Sequence, residues 1–271
     1  MDLSVRYSAL VDAKLRNELV LKDGVIFNNY YEGDPKAGAV KIRKTGKAAV
    51  NDYDRVAGTE LTSGASQWIT VTIDKDKAVN EIVDGYEAAA IPDGIVADRL
   101  DAATYGIAEA LDVDGAVALV TGGTVLDNTA ALTKSNIYDS IIDVRKLMSE
   151  AGVPQNGRYA LLSPETYAKA LKSPEFVGAS DLGDKVKATG ALGAIGGFAV
   201  YESANLGENV EAVFGHPNYA TRVKEWSVPV HVRALQDEKH IGASAISGRT
   251  VYAHAVSNAD AIYVKKTASA G

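Results

Sequence analysis

Cysteine is absent from the 271 residues, which rules out disulfides and thiolate zinc sites. Any assembly the chain builds must hold without covalent sulfur links, and the absence suits a reducing compartment. No stretch approaches the roughly 18 to 20 continuous apolar residues of a membrane helix. The opening Met1-Asp2-Leu3-Ser4-Val5-Arg6-Tyr7 also lacks a charged-then-apolar leader, so neither a membrane partner nor export is expected. Positive charge is scarce: 28 Lys and Arg stand against 35 Asp and Glu, a formal net charge of −7. That balance argues against a protein whose main task is to grip nucleic acid, because such binding is dominated by cations on phosphates. What remains is an average soluble composition, 46% hydrophobic and 23% charged, long enough for one large domain or two small ones.

Along the chain, Leu10, Val11, Leu15, Leu19 and Val20 recur at helical spacing, predicting a short amphipathic helix over Tyr7 to Leu21. After the turn cluster Gly33-Asp34-Pro35 comes a basic run with Lys36, Lys41, Arg43, Lys44 and Lys47. The alternation Val40-Lys41-Ile42-Arg43 fits a strand with one solvated face, and its expected partner is Trp68 to Ile73. Between these strands, residues 48 to 67 are rich in Gly, Ala, Thr, Ser and Asp. This reads as a projecting β-arm that a neighbouring copy must steady, since an isolated hairpin is marginal in water, with a surface loop as the alternative. Pro92 and Asp93 open a long helix, expected over 93–119, in which Gly106 and Gly115 each cost about 1 kcal/mol relative to alanine. Ser135 is the expected cap of a second helix carrying Ile137, Ile141, Val144, Leu147 and Met148 on one stripe, ended by Gly152 and Pro154. Past Gly207 the chain reads as strands: 210–214, 228–235, 241–255 and 261–265.

Chemistry-bearing motifs are few. Gly190, Gly193, Gly196 and Gly197 miss the G-x-G-x-x-G spacing and precede a strand rather than a helix, so a structural turn is the default over a nucleotide cradle. His216, His231, His240 and His254 show no metal-ligand spacing, and His216-Pro217 reads as a strand end before a turn or short helix. No G-x-S-x-G elbow occurs. The pairs Asp112/Asp114 and Asp181/Asp184 lack a calcium-loop pattern and read as solvated faces. No catalytic, cofactor or metal set is expected. The basic run has only Tyr30, Tyr31 and Tyr53 nearby, too few for single-strand stacking. Among DNA, lipid and an acidic neighbour, a charge-complementary contact with another subunit fits the net charge best. Lys36, Lys41, Arg43, Lys44, Lys47 and Trp68 are therefore the candidate subunit-contact residues.

One ordered series of motifs goes further. Gly152-Val153-Pro154 is followed by the apolar run Arg158 to Leu162, then Ser163-Pro164-Glu165-Thr166-Tyr167, a glycine-rich loop from Gly190 to Gly197, Phe198 to Tyr201, and Ala212-Val213-Phe214-Gly215-His216. That order resembles the axial domain of tailed-bacteriophage major capsid proteins of the Hong Kong 97 type. The resemblance implies an α+β fold with an N-terminal arm at 1–35, an extended β-loop at 36–73, a peripheral domain at 74–120 and 221–271 containing the spine helix, and an axial domain at 121–220. It implies no catalysis but self-assembly into pentamers and hexamers, closing an icosahedral shell around double-stranded DNA of a phage or prophage. The implied location is the virion, after assembly in the host cytoplasm. Implied partners are the chain itself, a separate scaffolding protein, a portal, and DNA held by weak non-specific contact. Some members of that family join subunits through a Lys–Asn isopeptide bond, but no motif assigns those roles to Lys44, Lys47 or Asn258. An encapsulin-type shell is the alternative within the fold, and a cytosolic α/β enzyme the alternative outside it.

Overall fold

Strand alternation decides the first element of the computed structural model, which describes residues 16–45, 48, 50–60, 66–90, 95–173, 193–236 and 239–267. Strands β1 (Ala39–Thr45) and β2 (Ser66–Thr72) pair antiparallel, with Val40 opposite Val71, Ile42 opposite Ile69 and Arg43 opposite Trp68. The expected pairing is the one found, but the limb is less independent than expected. Val40, Ile42 and Val71 need cover, and they find it on Val223 and Ala253 of the same chain. The base of the hairpin thus rests on its own subunit, and only the part beyond it projects.

Those supporting residues belong to a three-stranded antiparallel sheet in the order β3 (Lys75–Val83), β10 (Ser244–Val256), β9 (Ala220–Ala234). Lys75 to Val83 carries too many charges to read as a strand. It forms one because β10 supplies a ladder from Ser244 opposite Val83 to Tyr252 opposite Lys75. One face of this sheet is covered by α2 (Ile95–Gly122), through a cluster of Val79, Val83, Leu100, Ala103, Val230 and Ile246. At 28 residues α2 is about 42 Å long. It runs three residues past the expected end at Leu119, and the expected start at Asp93 lies outside the described residues. A short helix, α1 (Gly85–Ala90), precedes it.

The second body is a six-stranded sheet. Its order is β4 (Thr124–Val125), β11 (Tyr263–Lys266), β8 (Val210–Gly215), β5 (Tyr159–Leu162), β7 (Phe198–Glu202), β6 (Ala194–Ile195). Helix α3 (Ile137–Glu150) lays Ile137, Ile141, Val144 and Met148 on the core it shares with this sheet, while Leu147 stays 37% exposed. Asn136, not Ser135, is the N-cap of α3, and its Oδ1 accepts from Thr133 N at 2.7 Å instead of from the helix. Helix α4 (Pro164–Leu171) starts as the sequence predicts, with Ser163 Oγ accepting from Thr166 N and Pro164 in the first turn. Gly196 and Gly197, at φ +55° and +85°, make the two-residue turn joining β6 to β7. A turn, and not a cradle, is what these glycines build. Gly190 and the Asp181/Asp184 pair lie outside the described residues.

The N-terminal segment departs from its predicted helix. The described part of the predicted N-terminal helix, residues 16 to 21, is not helical. It runs along α2, whose polar face offers partners: Arg16 bonds Asp101 at 2.6 Å, Tyr105 donates to Asn17 O at 3.1 Å, and Leu21 N donates to Asp112 Oδ1 at 2.9 Å. The last strand, too, lies away from the other late strands. Residues 263–266 do not stay with β9 and β10, because β11 bonds β8 on one side and β4 on the other, inside the six-stranded sheet.

Candidate intersubunit surface

Alternation along β1 turns Lys41 and Arg43 to solvent, on the same face as Trp68, which is 47% exposed and stands directly across from Arg43. Lys44 turns the other way, and its Nζ donates to Asn258 Oδ1 of the same chain at 3.3 Å. Lys36 stands apart in the 3-10 turn Pro35–Ala37, capped by Asp34. Of the six candidates, then, Lys41, Arg43 and Trp68 share a face, Lys44 and Lys36 point elsewhere, and Lys47 lies outside the described residues.

Within the predicted projecting arm, the tip holds a built turn that composition did not disclose. Asp54 Oδ1 accepts from Val56 N at 2.6 Å and Ala57 N at 2.8 Å, and a backbone bridge joins Asp54 to Gly58, whose φ of +75° closes the turn. Those two amides hold the Asp54 carboxyl below the usual carboxylate range. The turn leaves Val50, Tyr53 and Val56 exposed at 94%, 71% and 98%. Of these, only Val56 belongs to the turn itself, which keeps its side chain in solvent. The motif Asp54-Arg55-Val56-Ala57-Gly58 was its readable signal.

Beside the hairpin base lies a groove of about 600 Å³. Its walls are Tyr30 to Glu32 from the arm, Ile42 to Lys44 from β1, Ala151 and Gly152 after α3, Asn218 and Tyr219 before β9, and Asn258 after β10. The arm, the hairpin, the three-stranded sheet and the six-stranded body all meet there.

The arm reaches this junction because it is latched from below. Arg222, 4% exposed, donates from Nε to His254 Nε2 at 2.8 Å, from one terminal nitrogen to Asp23 Oδ1 at 2.8 Å, and from the other to Leu21 O at 2.9 Å. Its guanidinium lies 4.5 Å from the centre of the Phe27 ring. Lys224 adds a second cation to Asp23 at 2.8 Å. Burial raises the Asp23 carboxyl, but the bond from Lys224 and the charge of Arg222 outweigh it and leave the pKa lowered. Burial first, then the neighbouring Arg222, drives His254 down to about 3. Its Nε2 must keep a lone pair for Arg222, so the ring is neutral.

The acidic pair Asp112/Asp114 is likewise structural, correcting the solvated-face reading. Asp112 is 3% exposed and accepts from Leu21 N and from Asn205 Nδ2, both at 2.9 Å. Asp114 accepts from Tyr252 OH at 2.8 Å. His216 closes β8 and caps the Pro217–Tyr219 turn through Nδ1, as its place before proline predicts. Among the described residues no cluster of three or more His, Asp or Glu can hold a metal ion. No helix there is long and apolar enough to cross a membrane.

Comparison with known proteins agrees with this architecture. Solved structures similar to the chain include Mycobacterium phage Che8, with a TM-score of 0.80 at 22% identity over 98% of this chain and 97% of that one. The capsid of cyanophage P-SCSP1u matches with a TM-score of 0.78 at 14% identity, over 98% and 94% of the two chains. The capsid of a native GTA particle matches with a TM-score of 0.65 at 15% identity, over 98% and 95%. These likenesses show the fold, an α+β capsid fold of the Hong Kong 97 type. No curated protein matches the sequence. The family model described as phage capsid protein matches residues 86–264, from α1 through β11, and the chain therefore belongs to the phage capsid protein family, as a non-enzymatic shell component of the virion that associates with its own copies.

Proposed function

We propose that this chain is a major coat subunit whose copies form pentamers and hexamers that close an icosahedral shell around double-stranded DNA. In this reading residues 1–35 serve as the arm and 36–73 as the extended β-loop. The three-stranded sheet with α2 is the peripheral body, and the six-stranded sheet, now including β11, is the axial body. The observation that carries the proposal is the hairpin tip, whose Val50 and Val56 are 94% and 98% exposed in the single subunit. Apolar side chains standing in water gain free energy only when a neighbour covers them. Overlap of tip and arm with neighbours would bury well beyond the ~1,600 Å² of a standard interface.

Lys41, Arg43 and Trp68 then form a face for adjacent subunits, and the net charge of −7 suits a wall that DNA touches weakly. A scaffolding protein and a portal complete the partners this reading requires. An encapsulin-type container shares the expected fold, but the match of a phage family model over 86–264 favours the coat. The test is the expressed protein by mass measurement and negative-stain microscopy, followed by the ratio of absorbance at 260 and 280 nm in purified particles. Megadalton shells or their capsomers are expected, with nucleic acid inside shells made in the infected or induced host. A small oligomer of fixed mass, with no larger form at high concentration, would falsify the proposal.

A further inference from the structure

Asn156-Gly157 is the only Asn-Gly step in the chain, and it sits in the exposed turn between α3 and β5. Gly157 has a φ of +84°, a conformation that favours glycine, and its missing Cβ leaves the amide nitrogen open to the preceding side chain. Among the described residues neither the Asn156 side-chain amide nor Gly157 N is engaged in a hydrogen bond. The carbonyl between them is engaged. His216 Nδ1 accepts from Asn218 N at 3.2 Å, which puts the proton of the neutral ring on Nε2, and Nε2 donates to Asn156 O at 2.9 Å. Burial holds the ring below its ordinary 6.5 against the opposing bond to Asn156, and the charge of Arg158 adds to the effect. The Tyr219 ring packs edge-on against the imidazole, with centroids 5.9 Å apart, and fixes its orientation.

That arrangement acts on the peptide bond joining the two residues. When an amide nitrogen loses its proton, resonance shares the charge with the carbonyl oxygen, so a donor fixed on that oxygen stabilises the amidate where charge develops. Arg158 adds a positive field. It is 2% exposed, and its bonds all run to neutral acceptors: the carbonyls of Val153, Pro154 and Arg145 and the Ser149 hydroxyl. We propose that Asn156 is a self-modifying site, at which the Gly157 amide attacks the Asn156 side chain while His216 holds the amidate oxygen. A bond forms from Gly157 N to Asn156 Cγ and the Cγ–Nδ2 bond breaks. The proton lost from Gly157 N passes through water to Nδ2, which leaves as ammonia. Water then opens the cyclic imide, at Cγ to give an aspartyl residue at position 156 or at the main-chain carbonyl to give an isoaspartyl one. Neither an oxidant nor a second protein is consumed, and the reaction belongs to the folded subunit whether or not it has assembled. Each converted subunit gains one negative charge on the turn beside Arg158.

Peptide mass spectrometry reads the reaction directly. Wild-type protein incubated at neutral pH in heavy-oxygen water is expected to yield a peptide spanning residue 156 that has lost ammonia and taken up the label, with aspartyl and isoaspartyl forms separated by chromatography. The same chain held unfolded in urea at the same pH is the reference. The native rate is expected to exceed the unfolded one, and a native rate equal to or below it overturns the proposal. His216→Phe removes the donor and should slow the native reaction about tenfold, while His216→Gln keeps an N–H at that end of the side chain and should retain most of the rate. A histidine that merely stiffened the turn would act the other way, because its loss would free Asn156 and speed the attack. Slowing by His216→Phe that His216→Gln does not share is therefore the required pattern, and any other pattern from folded variants overturns the role of His216. Should the variants fail to fold, the comparison of native and unfolded wild type decides alone.

Discussion

Arg222 touches more separate parts of this molecule than its place in the sequence suggests. A buried guanidinium is tolerable only when its donors are satisfied, and here Asp23, Leu21 O and His254 satisfy them from the arm and from β10. His254 makes the latch sensitive to acid. Its native pKa of about 3 lies below the ordinary 6.5, so between those values the unfolded chain binds a proton that the native chain does not, and stability falls as pH drops. Asp23, with its pKa lowered by Lys224 and Arg222, works in the same direction at lower pH. Denaturant melts of the dissociated subunit should lose up to about 1.4 kcal/mol per pH unit from His254 below pH 6.5. His254→Gln, which keeps an acceptor for Arg222, should flatten that part of the curve. A profile identical in the two proteins would remove His254 from the latch. None of this was readable in advance: Arg222 and His254 sit on different strands, and Asp112 looks like half of a solvated pair until Leu21 and Asn205 are seen upon it.

Helix α2 shows which features of an element the sequence discloses. Its apolar spacing announced a long helix, and the same reading marked Gly106 and Gly115 as weak points. The two turn out to be different. A Cβ added at Gly106 would meet nothing within 4 Å, whereas one at Gly115 would lie 3.0 Å from the Phe27 ring and 3.3 Å from Arg222. Gly106→Ala should therefore stabilise the subunit by about 1 kcal/mol through helix propensity. Gly115→Ala should instead lose about 1 to 3 kcal/mol, because Phe27 is fully buried and cannot move aside. Thermal melts of both variants check the pair, and a gain from Gly115→Ala would mean the arm is not packed there. Elsewhere, the β1/β2 hairpin, α3, α4 and β8 were legible because each carries a complete local signal of alternation, stripe or cap. β3 was not, since Lys75 to Val83 becomes a strand only when β10 lies beside it.

For the molecule as a whole, the order of motifs from Gly152 to His216 was enough to suggest a capsid subunit, and the family match over 86–264 agrees. The candidate contact surface was only half legible. The basic strand stood out by charge, while the tip and the groove depend on a turn and on a junction of distant segments. The tip lies clear of the core clusters, so replacing residues 50–60 with a short linker should leave the subunit's unfolding midpoint within error and abolish closed particles. Native melting together with sedimentation reads both outcomes. A large drop in the midpoint would instead make the tip part of the subunit's own fold. The position of β11 bears on timing. It lies between β4 and β8, yet both of those strands leave the ribosome well before it. Until residues 263–266 emerge, the six-stranded sheet has a gap in its ladder, so a nascent chain on a polysome presents no finished tile to its neighbours.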